Sequence, residues 1–385
     1  MVKAFGLSKP NLLQTQPHNN MKSKILLALS LLFMPLISSA QQAVDLGQVA
    51  LSKWRIGTGN YSGITSLGNN RYAVVSDKEI TDGFFTFLID QNATTGAIES
   101  VYLESFKGNS SPKMSAATGI SVRDCEGIAY FPPAGTVFIA GEGDQKILEY
   151  NMDGQPTGRE LTVPKIFGLG NIVPNYGFES LAYCPTTHRF WTTTESTLLK
   201  DGNAAGPMHP GEQNLLRLQS FRDDLLPIAQ YAYRMDRGKA DDFGKIYVYG
   251  VSEIATLPDG RLLVMEREAD ISNGYLSSQC TCKIFMVNPQ ESWMIDSSTD
   301  LQKLDPNKFM TKRLIATFTT HMTPFKQNFA NYEGMCLGRQ LNDGRQTLLL
   351  ISDSQGGYGK GPVHLKDYIR VLILPDFWVS PKTRL

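Results

Sequence analysis

No stretch of this 385-residue sequence sustains a helical apolar period, which argues against an α/β fold. Histidine is scarce as well: there are five, His18, His188, His209, His321 and His364. A tetrahedral zinc site, which draws on imidazole and thiolate, therefore has little to be built from. The five cysteines, Cys125, Cys184, Cys280, Cys282 and Cys336, include a CxC but no CxxC pair, and their odd number leaves at least one without an intramolecular partner. GxSxG, HExxH and P-loop patterns are missing, and the glycine-rich GEGDQK (141–146) precedes a strand rather than a helix. Charge of one sign is also lacking, with 37 basic against 37 acidic residues, so nothing points to nucleic acid as a partner.

The apolar run at residues 25–37 is shorter than the roughly 20 residues a bilayer span needs. With Lys22 and Lys24 before it and Ser38 and Ala40 after it, MKSKILLALSLLFMPLISSA (21–40) reads as a secretory signal peptide, with Met21 a candidate start. The expectation is a cleaved leader at 1–40 and one domain at 41–385, secreted or periplasmic, with no membrane span after cleavage. Losing the leader removes Lys3, Lys9, Lys22 and Lys24 and no acid, leaving the mature chain slightly acidic.

What the sequence does contain is one hairpin written repeatedly: GITSLGNNRYAVVSDK (63–78), CEGIAYFPPAGTVFIAGEGDQK (125–146), FESLAYCPTTHRFWTTTES (178–196), SEIATLPDGRLLVMERE (252–268) and YEGMCLGRQLNDGRQTLLLISDS (332–354). The turns NN, PPAG, PTTH, PDG and NDG suit tight antiparallel hairpins. Two further short strands follow each hairpin except the last, and four strands per repeat is the grammar of a propeller blade. The fold expected is an all-β, five-bladed β-propeller, with VALSKWRIG (49–57) supplying the strand the last blade lacks. A six-bladed ring is the alternative if the connection at 289–312 hides strands.

Each copy opens and closes on an acid or hydroxyl. The inner set is Ser62, Glu126, Glu179, Glu253 and Glu333; the second is Asp77, Glu142, Glu195, Glu266 and Asp353. Both sets belong to the face on which the long loops fall, where a rigid scaffold carries function. So many carboxylates at one mouth raise each other's pKa and call for a cation. Ca2+ takes six to eight oxygen ligands in flexible geometry and suits the inner set, whereas Mg2+ prefers fewer protein ligands in a strict octahedron. In the bland alternative the second-set acids pair with Lys78, Lys146 and Arg267. His209, His321 and His364 lie on the same face as candidates for catalysis or substrate binding.

At DCEGIAY, FESLAY, SEIATLPDGRLLVMER and NYEGM the sequence resembles the phytase-like family, described as having esterase-like activity of phytase, over residues 61–374. The resemblance implies a secreted bacterial propeller hydrolysing phosphate esters with calcium. On that expectation the inner set holds Ca2+, Glu142 or Glu195 is the general base, and Lys78, Lys146 and Arg267 bind the substrate phosphate. The alternatives are a calcium-dependent lactonase or carboxylesterase, or a non-catalytic binding propeller stabilised by calcium.

Overall fold

A computed structural model describes residues 42–375, except 112, 117, 118, 120, 239–245, 272, 273, 361 and 362. The leader expected at 1–40 lies outside the described residues. Among the described residues no helix is long and apolar enough to cross a membrane.

The repeated hairpins pair as their alternating pattern requires, because successive side chains of a strand point to opposite faces. Blade 1 comprises Tyr61–Gly68, Arg71–Ser76, Gly83–Gln91 and Ile98–Gly108, and blade 2 comprises Cys125–Phe131, Thr136–Gly141, Lys146–Tyr150 and Pro156–Glu160. Blade 3 is Phe178–Cys184, Arg189–Thr194, Leu215–Arg222 and Pro227–Arg234. Blade 4 is Tyr247–Thr256, Leu262–Asp270, Gln279–Val287 and Lys312–His321. Blade 5 draws Asn331–Gln340, Gln346–Asp353 and Tyr368–Ile373 from the end of the chain. The first strand of each blade packs on that of the next, and blade 5 returns to blade 1, so five blades close a β-propeller. The connection at 289–312 hides no sixth blade: it holds short 3-10 turns and the strand Met294–Ile295, which extends the outer edge of blade 3.

An N-terminal strand completes blade 5, but it is Val44–Ala50 rather than residues 49–57. Val44 pairs with Ile373 and Ala50 with Tyr368, after which Leu51–Trp54 leaves the sheet as a 3-10 helix. Polar anchors decide the register: Arg370 donates to both oxygens of Asp45 (3.0 and 2.5 Å), and the Tyr332 hydroxyl donates to Gln48 (2.9 Å). The apolar VAL of the sequence drew the expected strand too far along the chain.

Apolar side chains fill the spaces between blades. Phe131 and Phe138 of blade 2, for example, meet Tyr183 and Phe190 of blade 3, with Phe131 edge-on to Tyr183 at 5.1 Å. The turns inside the opening hairpins are tight; Asn69 and Asn70 both take positive φ (51° and 60°), the geometry that matches strand twist.

Nearer the axis, the glycine after the inner residue has a steric role. A Cβ on Gly63 would lie 2.4 Å from the Glu126 carbonyl oxygen, and one on Gly334 would lie 2.3 Å from that of Ser62. A Cβ on Gly127 would lie 2.6 Å from the Leu181 nitrogen. The inner strands thus touch backbone to backbone just beyond the acids, and the apolar Ile64, Ile128, Leu181 and Met335 follow, all buried.

Candidate functional site

The site begins where blades 1 and 2 meet. Asp77 closes the second strand of blade 1, and Asp124 and Glu126 open blade 2; one ligand oxygen from each lies within 4.8 Å of the others. Ser62 donates to Glu126 Oε2 at 2.5 Å, so it supports this carboxylate before it could reach an ion. Lys78 is paired with Asp77 and lies 3.2 Å from Asp124, placing a tethered cation on the same acids. Asp124 was not among the expected ligands because it precedes the strand and has left-handed backbone, φ 50°. Its signal in the sequence is only its place two residues before Glu126 at the entry to the hairpin; the left-handed turn at Asp124, not strand alternation, brings the two acids together.

Glu179 and Glu195, from the first hairpin of blade 3, continue the acidic wall, and a side-chain hydrogen bond joins them. Glu142 of blade 2 accepts the Gly177 amide at 2.8 Å. Arg267 of blade 4 is buried between neighbouring blades: it binds Glu195 of blade 3, and Glu333 and Asn331 of blade 5 at 2.8 Å each. Asn331, which sequence reasoning missed, also donates to Glu333 at 2.7 Å. Asp353 is held by Gln355 through its backbone amide at 2.6 Å and its side chain.

Several expected members stand elsewhere. Glu253 is fully buried and its Oε1 accepts the amides of Leu181 (3.2 Å) and Ile254 (2.9 Å), so this carboxylate ties inner strands together. Glu266 lies on the opposite side of its strand from Arg267, where Tyr233 (2.7 Å), Lys312 (2.6 Å) and the Asp236 amide (3.0 Å) surround it. Strand alternation is the reason: with Arg267 facing the mouth, its neighbour cannot. Lys146 is exposed and its ammonium lies 3.5 Å from Glu160 on the outer strand of its own blade. Arg267 has both amino groups engaged by acids of the protein, which leaves it poorly placed to receive a phosphate. His209 is exposed in its loop, His321 ends the outer strand of blade 4, and His364 lies in the small hairpin that follows Asp353.

Burial is the main electrostatic fact of the mouth. It drives Glu126 well above the usual carboxylate range, reinforced by Asp77, Glu333, Glu142 and Asp124. Glu179 is raised in the same way, by burial first and then by Glu126, Glu195 and Glu142. Burial pushes Glu142 up to about 7 with help from Glu195 and Asp124, although the Gly177 amide opposes the shift. Glu333 also reaches about 7, burial and Asp77 outweighing the nearby Arg267. Asp367, which accepts the Gly59 amide, is lifted by burial to about 6.

These residues fit a bound cation. Asp77 Oδ1 is buried without any hydrogen-bond partner, and the surrounding donors are carboxylate oxygens, the ligands of a hard ion. Asp77, Asp124 and Glu126 are the residues that would hold it.

A profile of the phytase-like family, described as esterase-like activity of phytase, matches residues 56–355. The chain belongs to the phytase-like family. The family supports a hydrolase-like propeller, in keeping with the acidic mouth described above. Comparison with curated proteins finds no match. Solved structures similar to this phytase-like chain include an endo-arabinase from Bacteroides thetaiotaomicron, 10% identical, covering 85% of this chain and 96% of that one, with a TM-score of 0.42. An α-L-arabinanase from Penicillium chrysogenum complexed with arabinobiose is 11% identical, with coverage of 85% and 98% and a TM-score of 0.39. The β-propeller domain of Myceliophteria thermophila Cps50 (Swd1) is 10% identical, with coverage of 86% and 99% and a TM-score of 0.30. Similarity at this level says nothing about the site.

Proposed function

We propose that this phytase-like protein is a secreted or periplasmic Ca2+-dependent hydrolase of phosphate esters. The observation that carries the reading is the convergence of Asp77, Asp124 and Glu126 to within 4.8 Å, with Asp77 Oδ1 unpartnered. When bound there, Ca2+ supplies Lewis-acid polarisation of an ester oxygen and counter-charge for the acids. Glu142 is the proton carrier: burial raises its carboxyl to about 7 in the ion-free site, and a nearby Ca2+ would favour the ionised form, which takes a proton from water and returns it to a leaving group. The Gly177 amide fixes Glu142 Oε1, so the proton is held on the other oxygen. Glu195 is a weaker candidate because its Oε1 is already taken up by Arg267. Lys78, whose side chain is 43% exposed, is the cation placed to turn toward substrate.

A second reading, an uncharged carboxylic ester or lactone as substrate, is favoured by the locking of Arg267 between Glu195 and Glu333 and by the position of Lys146. Assays on aryl phosphates, aryl acetates and lactones, with Ca2+ or chelator, separate the two. Ca2+-dependent phosphate release that Glu142→Gln abolishes supports the first reading. Turnover confined to carboxylic esters and lactones overturns it in favour of the second. No turnover on any of them, with Ca2+ still raising Tm, leaves a calcium-stabilised binding propeller.

A further inference from the structure

The far end of the channel, beyond the backbone contacts at Gly63, Gly127 and Gly334, is a separate chamber of opposite character. It is a concavity of about 320 Å³ to which all five blades contribute, with Ile64, Ile128, Leu181, Ile254 and Met335 in its wall. That volume lies within the range of about 300–1,000 Å³ of small-molecule pockets. Among the described residues, no Asp, Glu, Lys, Arg or His lines it.

Several of its polar side chains are already engaged by the protein. Thr65 Oγ1 accepts the Tyr130 amide at 3.2 Å, and Thr256 Oγ1 donates to the Tyr183 carbonyl at 2.9 Å. Thr186 donates to the Pro258 carbonyl at 2.5 Å, and the Cys184 thiol donates to the Leu257 carbonyl at 3.5 Å. Exposed prolines from three neighbouring blades, Pro132, Pro185 and Pro258, stand at the rim and bring no amide donors. The two thiols in the wall, Cys184 and Cys336, behave as small polarisable apolar groups. Such a surface offers nothing to an ion and would leave any charge it buried uncompensated. An uncharged apolar molecule, by contrast, loses only its contact with water on entering.

We propose that this chamber is a second binding site, independent of the acidic mouth, for a neutral apolar small molecule the size of one or two fused rings. The probe that tests it is N-phenylnaphthylamine, neutral and apolar, set against its sulfonated counterpart anilinonaphthalene sulfonate, both titrated into the purified protein by fluorescence. The neutral probe binds saturably, one per chain, and the sulfonate binds about tenfold or more weaker because its charge finds no partner. Ala255→Phe, which fills the interior, and Ser66→Trp, which fills the half-buried mouth, each weaken the neutral probe about tenfold or more by occupying its space. Absence of saturable uptake, equal affinity for the sulfonate, or undiminished binding in a folded Ser66→Trp protein overturns the proposal. Should Ala255→Phe not fold, Ser66→Trp with an unchanged circular dichroism spectrum decides alone.

Discussion

Arg267 clamps Glu195 across the boundary between blades 4 and 3, while its other amino group reaches Glu333 of blade 5 at 2.8 Å. One guanidinium thus joins three consecutive blades in a buried setting. Removing it leaves two buried carboxylates without their counter-charge. Arg267→Met is expected to lower unfolding free energy by about 3–5 kcal/mol in urea titration. Arg267→Lys should fall between the two, because a point charge cannot hold both acids with parallel bonds. Equal stability for all three proteins would show that the clamp contributes nothing.

Calcium should stabilise the protein, by about 2.7 kcal/mol at a hundredfold excess over Kd. Asp124→Asn and Glu126→Gln should abolish the accompanying rise in Tm. Lys78→Met should tighten Ca2+ binding, since it removes a tethered ammonium from Asp77 and Asp124. Calorimetric titration of the Lys78 variant checks this, and an unchanged Kd would mean that the ion and the ammonium do not compete.

The raised carboxyls fix the sign of a pH effect. Glu142 and Glu333 titrate at about 7 and Asp367 at about 6 in the folded protein. Unfolded carboxyls titrate near 4, so between these values the folded chain holds protons that the unfolded chain has lost. Stability therefore falls as pH rises through this window. In chelator, Tm should decrease from pH 5 to pH 8, and saturating Ca2+ should flatten or reverse the slope because it favours ionised acids. A Tm that climbs with pH in chelator would contradict this account of the mouth.

Packing at the axis gives a purely steric test. Gly127→Ala places a methyl group 2.6 Å from a backbone nitrogen that cannot move without its blade, at an expected cost of about 1–3 kcal/mol. Gly170→Ala, with nothing within 4 Å, is the control and should be near neutral. Thermal unfolding of the two variants side by side would expose any error in the backbone contact.

The blade count was legible because the hairpin recurs with its own turns and acids, and that periodicity survives any local ambiguity. The gathering of Glu126, Glu142, Glu179 and Glu195 on one face followed from the same repeat. Repeat alignment places a residue along a strand, however, without saying which neighbour its side chain will find. Glu253 shares its repeat position with Glu179, yet its Oε1 is taken up by the amides of Leu181 on the adjoining inner strand and of Ile254 on its own, while its Oε2 is buried without a partner. Glu266 and Arg267 exchange sides by a single step of the strand. Asp124 escaped notice because it lies outside the strand pattern. The edge strand at Val44–Ala50 was displaced because its register rests on Asp45 and Gln48 rather than on apolar residues.

That edge strand also sets an order of events. Asp45 and Arg370, 325 residues apart, must meet before the ring exists, so blade 5 cannot assemble until nearly all of the chain is present. Contacts of such sequence separation are slow to form, because the chain entropy is lost before the contact rewards it. Blades 1 to 4 can form in succession, but the nascent protein keeps an open arc with unpaired edges until its last long strand emerges. Maturation thus hinges on the two ends finding each other, and a chain cut short before Tyr368 would leave its own first strand without a place to bind.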